Sequence, residues 1–370
     1  MEGLCGSGFS PHGTRHETPW VSPDDANQNV KCSLVGLPHL INTHLLITGC
    51  ARGVENALVL SSMATINSLL DKQPSHAALI FADGSHLDRT YNLLRSWSSR
   101  NPQVRAILTA PGADLPTRLQ RLTTCRNTLL GFSLSQLGPG ATLAMLDLDC
   151  RLVSPEAVLA ALPHLESRRF DVLTANSEPY RDLWALRSTR LGVDYDCWQI
   201  QGGRHEQAMK PECRRYRISL NERAAPFAVD SAFNGLSIMS VDALRRANAE
   251  RCRYPMPEAI GVAAVRPGGE GHICEHVSLS SCLTSHGLRL GILPSMLVNC
   301  TCGAVCSPAQ RYWFRVRLEA DGMVRVKDRR TRRPMPPSHW RRFTSAMCGG
   351  EHLVRHASDG NRSVVCMPPT

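Results

Sequence analysis

The sequence predicts an α/β fold in which a mixed, mainly parallel sheet is flanked by helices. Short apolar runs alternate with segments that place apolar side chains at helical spacing, and this alternation is typical of strands joined by crossover helices. The chain has 370 residues, of which 42% are hydrophobic and 20% charged, the usage of a globular protein. This composition excludes a disordered chain, a collagen and a coiled coil, and the length allows one large domain or two smaller ones.

Four strands are predicted in the first half of the chain, each a short apolar run followed by polar residues. They cover residues 44–48, 77–81, 104–108 and 142–146, and the helices between them cover residues 54–70, 88–97 and 116–132. The second half is less regular, with strands predicted at 170–175 and 233–240 and a helix at 242–251. Residues 1–40 lack periodicity and are expected to form a flexible lead-in, and residues 307–370 a basic extension.

The positive charge is concentrated near the C-terminus. The net charge is +10, and the eleven Lys and Arg and three acidic residues of 311–346 contribute +8 of it. The segment 311–342 is therefore expected to contact an anionic surface, either an acidic glycan or an anionic membrane. Its aromatic residues could stack on bases, but no nucleic-acid-binding module is recognisable, so nucleic acid is not the expected partner.

Two carboxylates, Asp147 and Asp149, directly follow the fourth predicted strand. Ligands of open α/β sheets bind outside the carboxyl ends of the strands, and carboxylate oxygens suit Mn²⁺ or Mg²⁺. A cation held there would neutralise a leaving diphosphate. The alternative is a solvated strand end with no ligand.

Two other polar segments lie near predicted strand ends. Asp83 follows the second strand, as do the acids that hold a ribose or base in α/β enzymes, while Asp88 is better explained as a helix N-cap. Arg121 and Arg126 lie on the third helix, where they could clamp a diphosphate or could simply form a solvated face.

The order of the motifs carries more information than any one of them. D-G-S-x-x-D-x-T at 83–90 is followed by C-R-N at 125–127, D-x-D at 147–149, D-L-W-A-L-R at 182–187, N-G at 234–235 and C-E-H at 274–276. Over residues 44–300 this order resembles nucleotide-sugar glycosyltransferases of the GT-A fold, and most closely the group of the fungal capsular α-1,3-mannosyltransferases. The D-x-D element is unspecific, whereas D-L-W-A-L-R and C-E-H at these distances are much more telling.

The resemblance implies a role for each matched residue. Asp147 and Asp149 would hold the cation on the donor diphosphate, and Asp83 would lie at the nucleoside. Glu275, His276 and Asp182 would be the catalytic residues, with His276 as a further metal ligand; the alternatives are a hydrogen-bonded histidine and a salt-bridged glutamate. The remaining matches would bind nucleotide (Arg121, Arg126, Asn127) or donor sugar and acceptor (Asn176, Trp184, Arg187, Asn234, Gly235).

The predicted function is therefore metal-dependent transfer of a sugar from a nucleotide donor, GDP-mannose or a UDP-sugar, to a hydroxyl of a glycan or glycoprotein. The alternative is an inactive GT-A-like protein that binds glycans or acts as a scaffold. The transferase domain would cover residues 41–306, with a nucleotide-binding half at 41–150 and an acceptor half at 151–306.

The compartment depends on features that the sequence leaves open. The first residues lack the pattern of a signal peptide, and no uncharged run reads as a membrane span. We expect the Golgi or secretory lumen if a membrane anchor lies outside this sequence, and the cytoplasm otherwise. In an oxidising compartment the cluster Cys300, Cys302 and Cys306 would form disulfides, with Cys252, Cys274 or Cys282 as candidate partners; it lacks an evident fourth ligand for zinc.

Overall fold

The structure is a computed structural model of the chain. It describes residues 32–35, 40–51, 56–82, 89–109, 118–148, 150–152, 155–188, 191, 198–200, 207–209, 216–255, 274–300, 314–321, 324–328, 352–356 and 362–366.

The described strands are short except for one of eleven residues. In chain order they are β1 Cys32–Val35, β2 Leu45–Ala51, β3 His76–Ala82, β4 Val104–Thr109, β5 Thr142–Asp147, β6 Cys150–Leu152, β7 Val172–Asn176, β8 Trp198–Ile200, β9 Gln207–Met209, β10 Tyr216–Leu220, β11 Phe227–Ala228, β12 Leu236–Ser240, β13 Leu290–Cys300, β14 Phe314–Leu318, β15 Val324–Asp328, β16 His352–His356 and β17 Arg362–Cys366.

The α-helices in the described ranges are α1 Asn56–Leu70, α2 Arg89–Arg100, α3 Arg118–Gln136, α4 Pro155–Leu159, α5 Leu162–Glu166, α6 Val241–Arg246 and α7 Glu275–Ser285. Two 3₁₀ helices cover Leu40–Asn42 and Ala249–Arg251. Among the described residues, no helix is both long and apolar enough to cross a bilayer.

The chain divides into two compact units. Unit 1 consists of Met1–Leu162 and Leu236–Pro257, and unit 2 of Pro163–Gly235 and Glu258–Thr370. Unit 1 therefore takes β12 and α6 from a later part of the chain than its other described elements.

Unit 1 contains a sheet with the strand order β1-β4-β3-β2-β5-β12. The four central strands are parallel, and the two outer strands are antiparallel to their neighbours. Because β2, β3 and β5 are buried along most of their length, they read as continuous apolar runs rather than as alternating patterns. Helices α1, α2 and α3 pack on this sheet. The predicted fold class, a mixed and mainly parallel sheet flanked by helices, is confirmed.

Unit 2 contains three groups of paired strands. Strand β7 is parallel to β13, which is antiparallel to β11. A five-stranded sheet has the order β10-β14-β15-β17-β16, and β8 pairs with β9. The basic residues of the C-terminal region thus lie partly in strands that pair with one another and with β10.

Several predicted boundaries differ from the observed ones for a local reason. The expected strand at 233–240 begins only at Leu236, because Asn234 and Gly235 have φ angles of 52° and 88°, which an extended strand cannot accommodate. The expected helix at 242–251 is split, because Asn248 has a φ of 51°. Residues 32–35, expected in the lead-in, form β1 against β4.

Candidate functional site

Asp147 is the last residue of β5, at the carboxyl end of the parallel strands of unit 1. Its side chain is 28% exposed, and its Oδ1 accepts a hydrogen bond of 2.8 Å from Nη2 of Arg126 on α3. The Arg126 side chain is only 3% exposed. Two residues predicted to bind nucleotide and cation are therefore in direct contact.

Three consecutive residues of α3 contact two distant residues, Cys50 and Tyr254. Cys125 forms a disulfide with Cys50 on β2. The Arg126 guanidinium lies 5.4 Å from the centroid of the Tyr254 ring, within the range of a cation–π interaction. Asn127 donates a hydrogen bond to the Tyr254 carbonyl and accepts one from the Tyr254 amide, both at 2.8 Å.

These contacts place the predicted nucleotide ligands at different points. Arg126 is directed at Asp147, whereas the Asn127 amide group is engaged by the backbone of Tyr254. Arg121 lies five residues before Arg126 on α3 and is partly buried. Asp83 and Asp149 lie outside the described residues.

The residues at the end of β5 fit a divalent cation in their chemistry. Asp147 supplies carboxylate oxygen, the ligand type that Mn²⁺ and Mg²⁺ prefer, and part of the group is open to solvent. The hydrogen bond from Arg126 is the kind of outer partner that fixes the orientation of a ligating carboxylate.

In unit 2 the Asp182 carboxylate organises a turn. Its Oδ1 accepts a hydrogen bond from the Ala185 amide and its Oδ2 from the Asn234 amide, both at 3.2 Å. The Asp182 amide in turn donates to Oδ1 of Asn234. Asp182 and Asn234, predicted for different roles, are thus bound to each other.

Asn234 occupies the left-handed region of backbone conformation, where asparagine is better tolerated than most residues. Its Oδ1 also accepts from the Arg181 amide, and its Nδ2 donates to Ser177. The residue is 1% exposed, so its polar side-chain groups are engaged within the protein.

Two predicted sugar-binding residues lie in the same turn. Arg187 is 8% exposed, and its Nη1 donates to the carbonyls of Trp184 and Leu186 at 2.9 and 2.7 Å. Its backbone pairs with Ser231. Asn176, at the end of β7, donates to the carbonyls of Leu220 and Pro294, which are outside this turn.

The C-E-H motif forms the start of α7. Glu275 and His276 are 3% and 6% exposed, and Nε2 of His276 lies 3.7 Å from Oε1 of Glu275. The imidazole stacks on the Phe233 ring with a centroid distance of 3.7 Å and an interplanar angle of 15°. This stacking fixes the plane of the His276 ring.

Two further titratable side chains of unit 2, Cys274 and Tyr180, are buried, and the charge of Asp182 acts on both. Burial, reinforced by the charges of Glu275 and Asp182, raises the pKa of the Cys274 thiol well above its ordinary value. Burial and the Asp182 charge also raise the pKa of the Tyr180 phenol. Cys274 carries a free thiol, so it is not a disulfide partner of the cysteine cluster, and at neutral pH that thiol is protonated and unsuited to act as a nucleophile.

The arrangement in unit 2 can perform proton chemistry. A buried carboxylate next to a buried imidazole, as in Glu275 and His276, is a pair of groups used for general acid–base catalysis. The proposed roles of the individual residues in catalysis and sugar binding stay predictions.

Sequence reasoning missed residues that are far apart in the chain. Tyr254 contacts Arg126 and Asn127, from which it is separated by at least 127 positions in the sequence. No local sequence pattern predicts such a contact. Phe233 is only the first residue of the predicted strand at 233–240, although it is the stacking partner of His276. Cys50 lies near the end of an apolar strand. This position is a sequence signal that could have identified it as a residue close to the site.

No protein-family model and no curated protein matches the sequence. Among solved structures, the chain is similar to the mannosyltransferase PcManGT from Pyrobaculum calidifontis in complex with GDP-Man and Mn²⁺, with 12% identity and a TM-score of 0.42. The similarity covers 72% of this chain and 58% of that one.

It is also similar to TarS from S. aureus, with 10% identity and a TM-score of 0.39 over 68% of this chain and 35% of that one. For TarS 1–349 in complex with UDP the identity is 10% and the TM-score 0.38, over 69% and 59% of the two chains. The chain thus spans less than two thirds of each of these structures, and likeness at these identities concerns the fold alone.

Proposed function

We propose that this protein is a metal-dependent glycosyltransferase that moves a sugar, with mannose as the first candidate, from a nucleoside-diphosphate sugar to a hydroxyl of a glycan or glycoprotein. The contact between Arg126 and Asp147 carries the proposal. The pair places a carboxylate and a guanidinium group at the carboxyl end of parallel strands. Open α/β sheets bind phosphorylated ligands at this end.

Unit 1 would bind the donor. Asp147, together with Asp149, would hold Mn²⁺ or Mg²⁺, which when bound neutralises charge on the leaving diphosphate. Arg126 orients the Asp147 carboxylate through its 2.8 Å hydrogen bond and adds positive charge for the phosphates. Asp83, Arg121 and Asn127 complete the proposed nucleotide site.

Unit 2 would supply the groups that handle the acceptor and its proton. Glu275 would accept or steer the proton of the acceptor hydroxyl, and His276 would assist it from 3.7 Å or serve as a further metal ligand. Asp182 would keep the turn at 182–187 in place, so that Trp184 and Arg187 can take part in sugar binding. Asn176, Asn234 and Gly235 are the other proposed contacts.

Release of nucleoside diphosphate from a panel of GDP- and UDP-sugars, with and without Mn²⁺, tests this function. We expect Mn²⁺-dependent turnover of one donor, and a loss of about 100-fold or more in kcat/KM for Asp147→Asn and for Glu275→Gln. Glu156→Gln is the matched control, because Glu156 is an acid of unit 1 whose side chain is 65% exposed. Turnover that Asp147→Asn leaves unchanged would contradict the proposal.

The acceptor is proposed to be anionic, with the segment 311–342 as its contact surface. Strand register places Arg315 opposite Lys327 and Arg317 opposite Arg325, and Arg217 of β10 opposite Arg315. Because positive charge concentrated in one segment attracts anions, this region is expected to bind a polyanion. Binding of polyglucuronate that weakens steeply with salt is the expected result, and salt-independent binding would contradict it.

We also propose that the protein works in an oxidising compartment such as the secretory lumen. The Cys50–Cys125 disulfide supports this, as do Cys150, Cys252 and Cys282, which are disulfide-bonded as well. Mass spectrometry of unreduced peptides from the native source tests it, with the linked Cys50 and Cys125 peptides as the expected product. Recovery of both as free thiols would contradict it.

A further inference from the structure

Each cysteine of the Cys50–Cys125 disulfide neighbours one member of the Arg126–Asp147 ion pair. Cys50 is the register partner of Asp147 across the parallel strands β2 and β5. Cys125 directly precedes Arg126 on α3. The bond joins Cα atoms 6.1 Å apart that are separated by 75 residues in the chain. It thus ties the strand next to Asp147 to the helical turn that carries Arg126.

The Arg126–Asp147 contact depends on the exact position of α3 relative to β5. Arg126 is almost fully buried, and a buried guanidinium requires a close, well-oriented anion to offset the free energy of its desolvation. A small shift of α3 along β2 would lengthen the 2.8 Å contact with Asp147. The buried guanidinium would then lose its direct hydrogen bond to the Asp147 carboxylate.

On the other side of Arg126, noncovalent contacts with Tyr254 hold the helix. Asn127 and the backbone of Tyr254 exchange two hydrogen bonds, and the Tyr254 hydroxyl is placed 3.1 Å from the Met145 sulfur on β5. These contacts restrain α3 relative to residue 254. The disulfide is the covalent link between α3 and the strand that neighbours Asp147.

We propose that the Cys50–Cys125 disulfide is a positioning element of the donor site, which holds Arg126 in register with Asp147 and so strengthens the binding of a cation and nucleoside diphosphate by unit 1. The ligand named here rests on the proposed function, whereas the ion pair itself can be measured without any ligand. The disulfide acts through Arg126, and it touches neither substrate nor cation.

The test is a set of double-mutant cycles in two backgrounds. Arg126→Gln, Asp147→Asn and their combination are made in the wild type and in Cys50→Ala/Cys125→Ala, and urea midpoints are measured for all. We expect the two substitutions to be clearly non-additive when the disulfide is present and additive when it is removed. Equal non-additivity in both backgrounds would overturn the proposal, because a disulfide that only stabilises the fold shifts all midpoints alike.

Ligand binding gives a second readout. The dissociation constants of GDP and UDP with Mn²⁺ are expected to rise about tenfold in Cys50→Ala/Cys125→Ala, as for loss of an outer partner of a metal ligand, and to stay unchanged in Cys274→Ala, which removes a free thiol. The same variant pair is also compared in the Arg126→Gln background. If removal of the disulfide raises the dissociation constants there by the same factor, the disulfide does not act through Arg126 and the proposal is overturned. If the wild type binds neither nucleotide, the proposed function fails, while the urea cycles still decide this inference.

The alanine pair could fail to fold. In that case the folded wild type and its Arg126 and Asp147 variants are treated with a phosphine reductant. The phosphine reduces the disulfide to two thiols and becomes the phosphine oxide, while water supplies the oxide oxygen and the two thiol protons. Non-additivity that disappears on reduction supports the proposal, and non-additivity that survives complete reduction overturns it.

Discussion

Asn234 shows at the scale of one residue how conformation and hydrogen bonding are combined in unit 2. Its backbone lies in the left-handed region, and its side chain binds Ser177 and the amides of Arg181 and Asp182. A residue that must satisfy both demands has few substitutes, since asparagine tolerates this conformation and also carries an amide group. The position of Asp182 therefore depends on the identity of residue 234.

Replacing Asn234 by Ala should destabilise the protein by about 2–4 kcal/mol, because it removes buried hydrogen bonds and a residue suited to positive φ. Asn248→Ala is the control: Asn248 has nearly the same φ but is exposed and makes no capping hydrogen bond. It should cost about 1 kcal/mol. Urea unfolding measures both, and equal losses would contradict the role given to the Asn234 side chain.

The buried thiol of Cys274 predicts a loss of stability at alkaline pH. Its pKa is raised in the folded protein, so its contribution is fully present below the unfolded thiol value of about 8.5 and declines as the pH rises towards the folded value. The free energy of unfolding should fall by about 1.4 kcal/mol per pH unit in this window from Cys274 alone. Unfolding followed from pH 7 to 10 should show a shallower slope in Cys274→Ala, and an unchanged slope would contradict this.

At the scale of elements, Gly49 lets β2 and the end of β5 approach closely. A Cβ atom at Gly49 would lie 2.9 Å from the Cγ of Leu148 and 3.0 Å from the Leu146 carbonyl oxygen. Leu148 is the residue that follows Asp147. The absence of a side chain at position 49 thus helps to define the chain path at the proposed cation site.

Gly49→Ala should therefore destabilise the protein by about 1–3 kcal/mol through overpacking. Gly131→Ala is the matched control, since the nearest atom to its Cβ would be 3.9 Å away and alanine favours the α3 helix by up to about 1 kcal/mol. Thermal unfolding of the two variants should shift in opposite directions. A neutral Gly49→Ala would show that the Leu148 segment moves aside without cost.

The elements of unit 1 were predictable because their pattern is local. The run Thr-Leu-Ala-Met-Leu at 142–146 is buried on both faces, and β5 covers Thr142–Asp147. The five-stranded sheet of unit 2 was not predicted, because its strands are short and β10 pairs in parallel with β14, almost 100 residues later. Pairing at that distance depends on tertiary structure rather than on local propensity.

The candidate site was predictable to a similar degree. The positions of Asp147 and of Glu275 could be derived from motifs, since each lies at the end or the start of an element. The contact of Arg126 with Tyr254, the stacking of His276 on Phe233 and the Cys50–Cys125 disulfide join distant segments, and only the folded chain brings them together.

At the scale of the whole molecule, the two units offer groups of different chemistry. Unit 1 offers a partly exposed acid held by a buried arginine, and unit 2 a buried glutamate beside a histidine that stacks on Phe233. The first suits a charged ligand that binds from solvent, and the second suits proton transfer in surroundings of low dielectric constant. The account therefore depends first on whether unit 1 binds a nucleoside diphosphate.

Titration calorimetry of GDP and UDP, with and without Mn²⁺, measures this directly. We predict that the wild type and Glu156→Gln bind one of the two nucleotides when Mn²⁺ is present, and that Asp147→Asn loses this binding. Absence of binding to both nucleotides in the wild type, or equal binding in Asp147→Asn, would contradict the central claim.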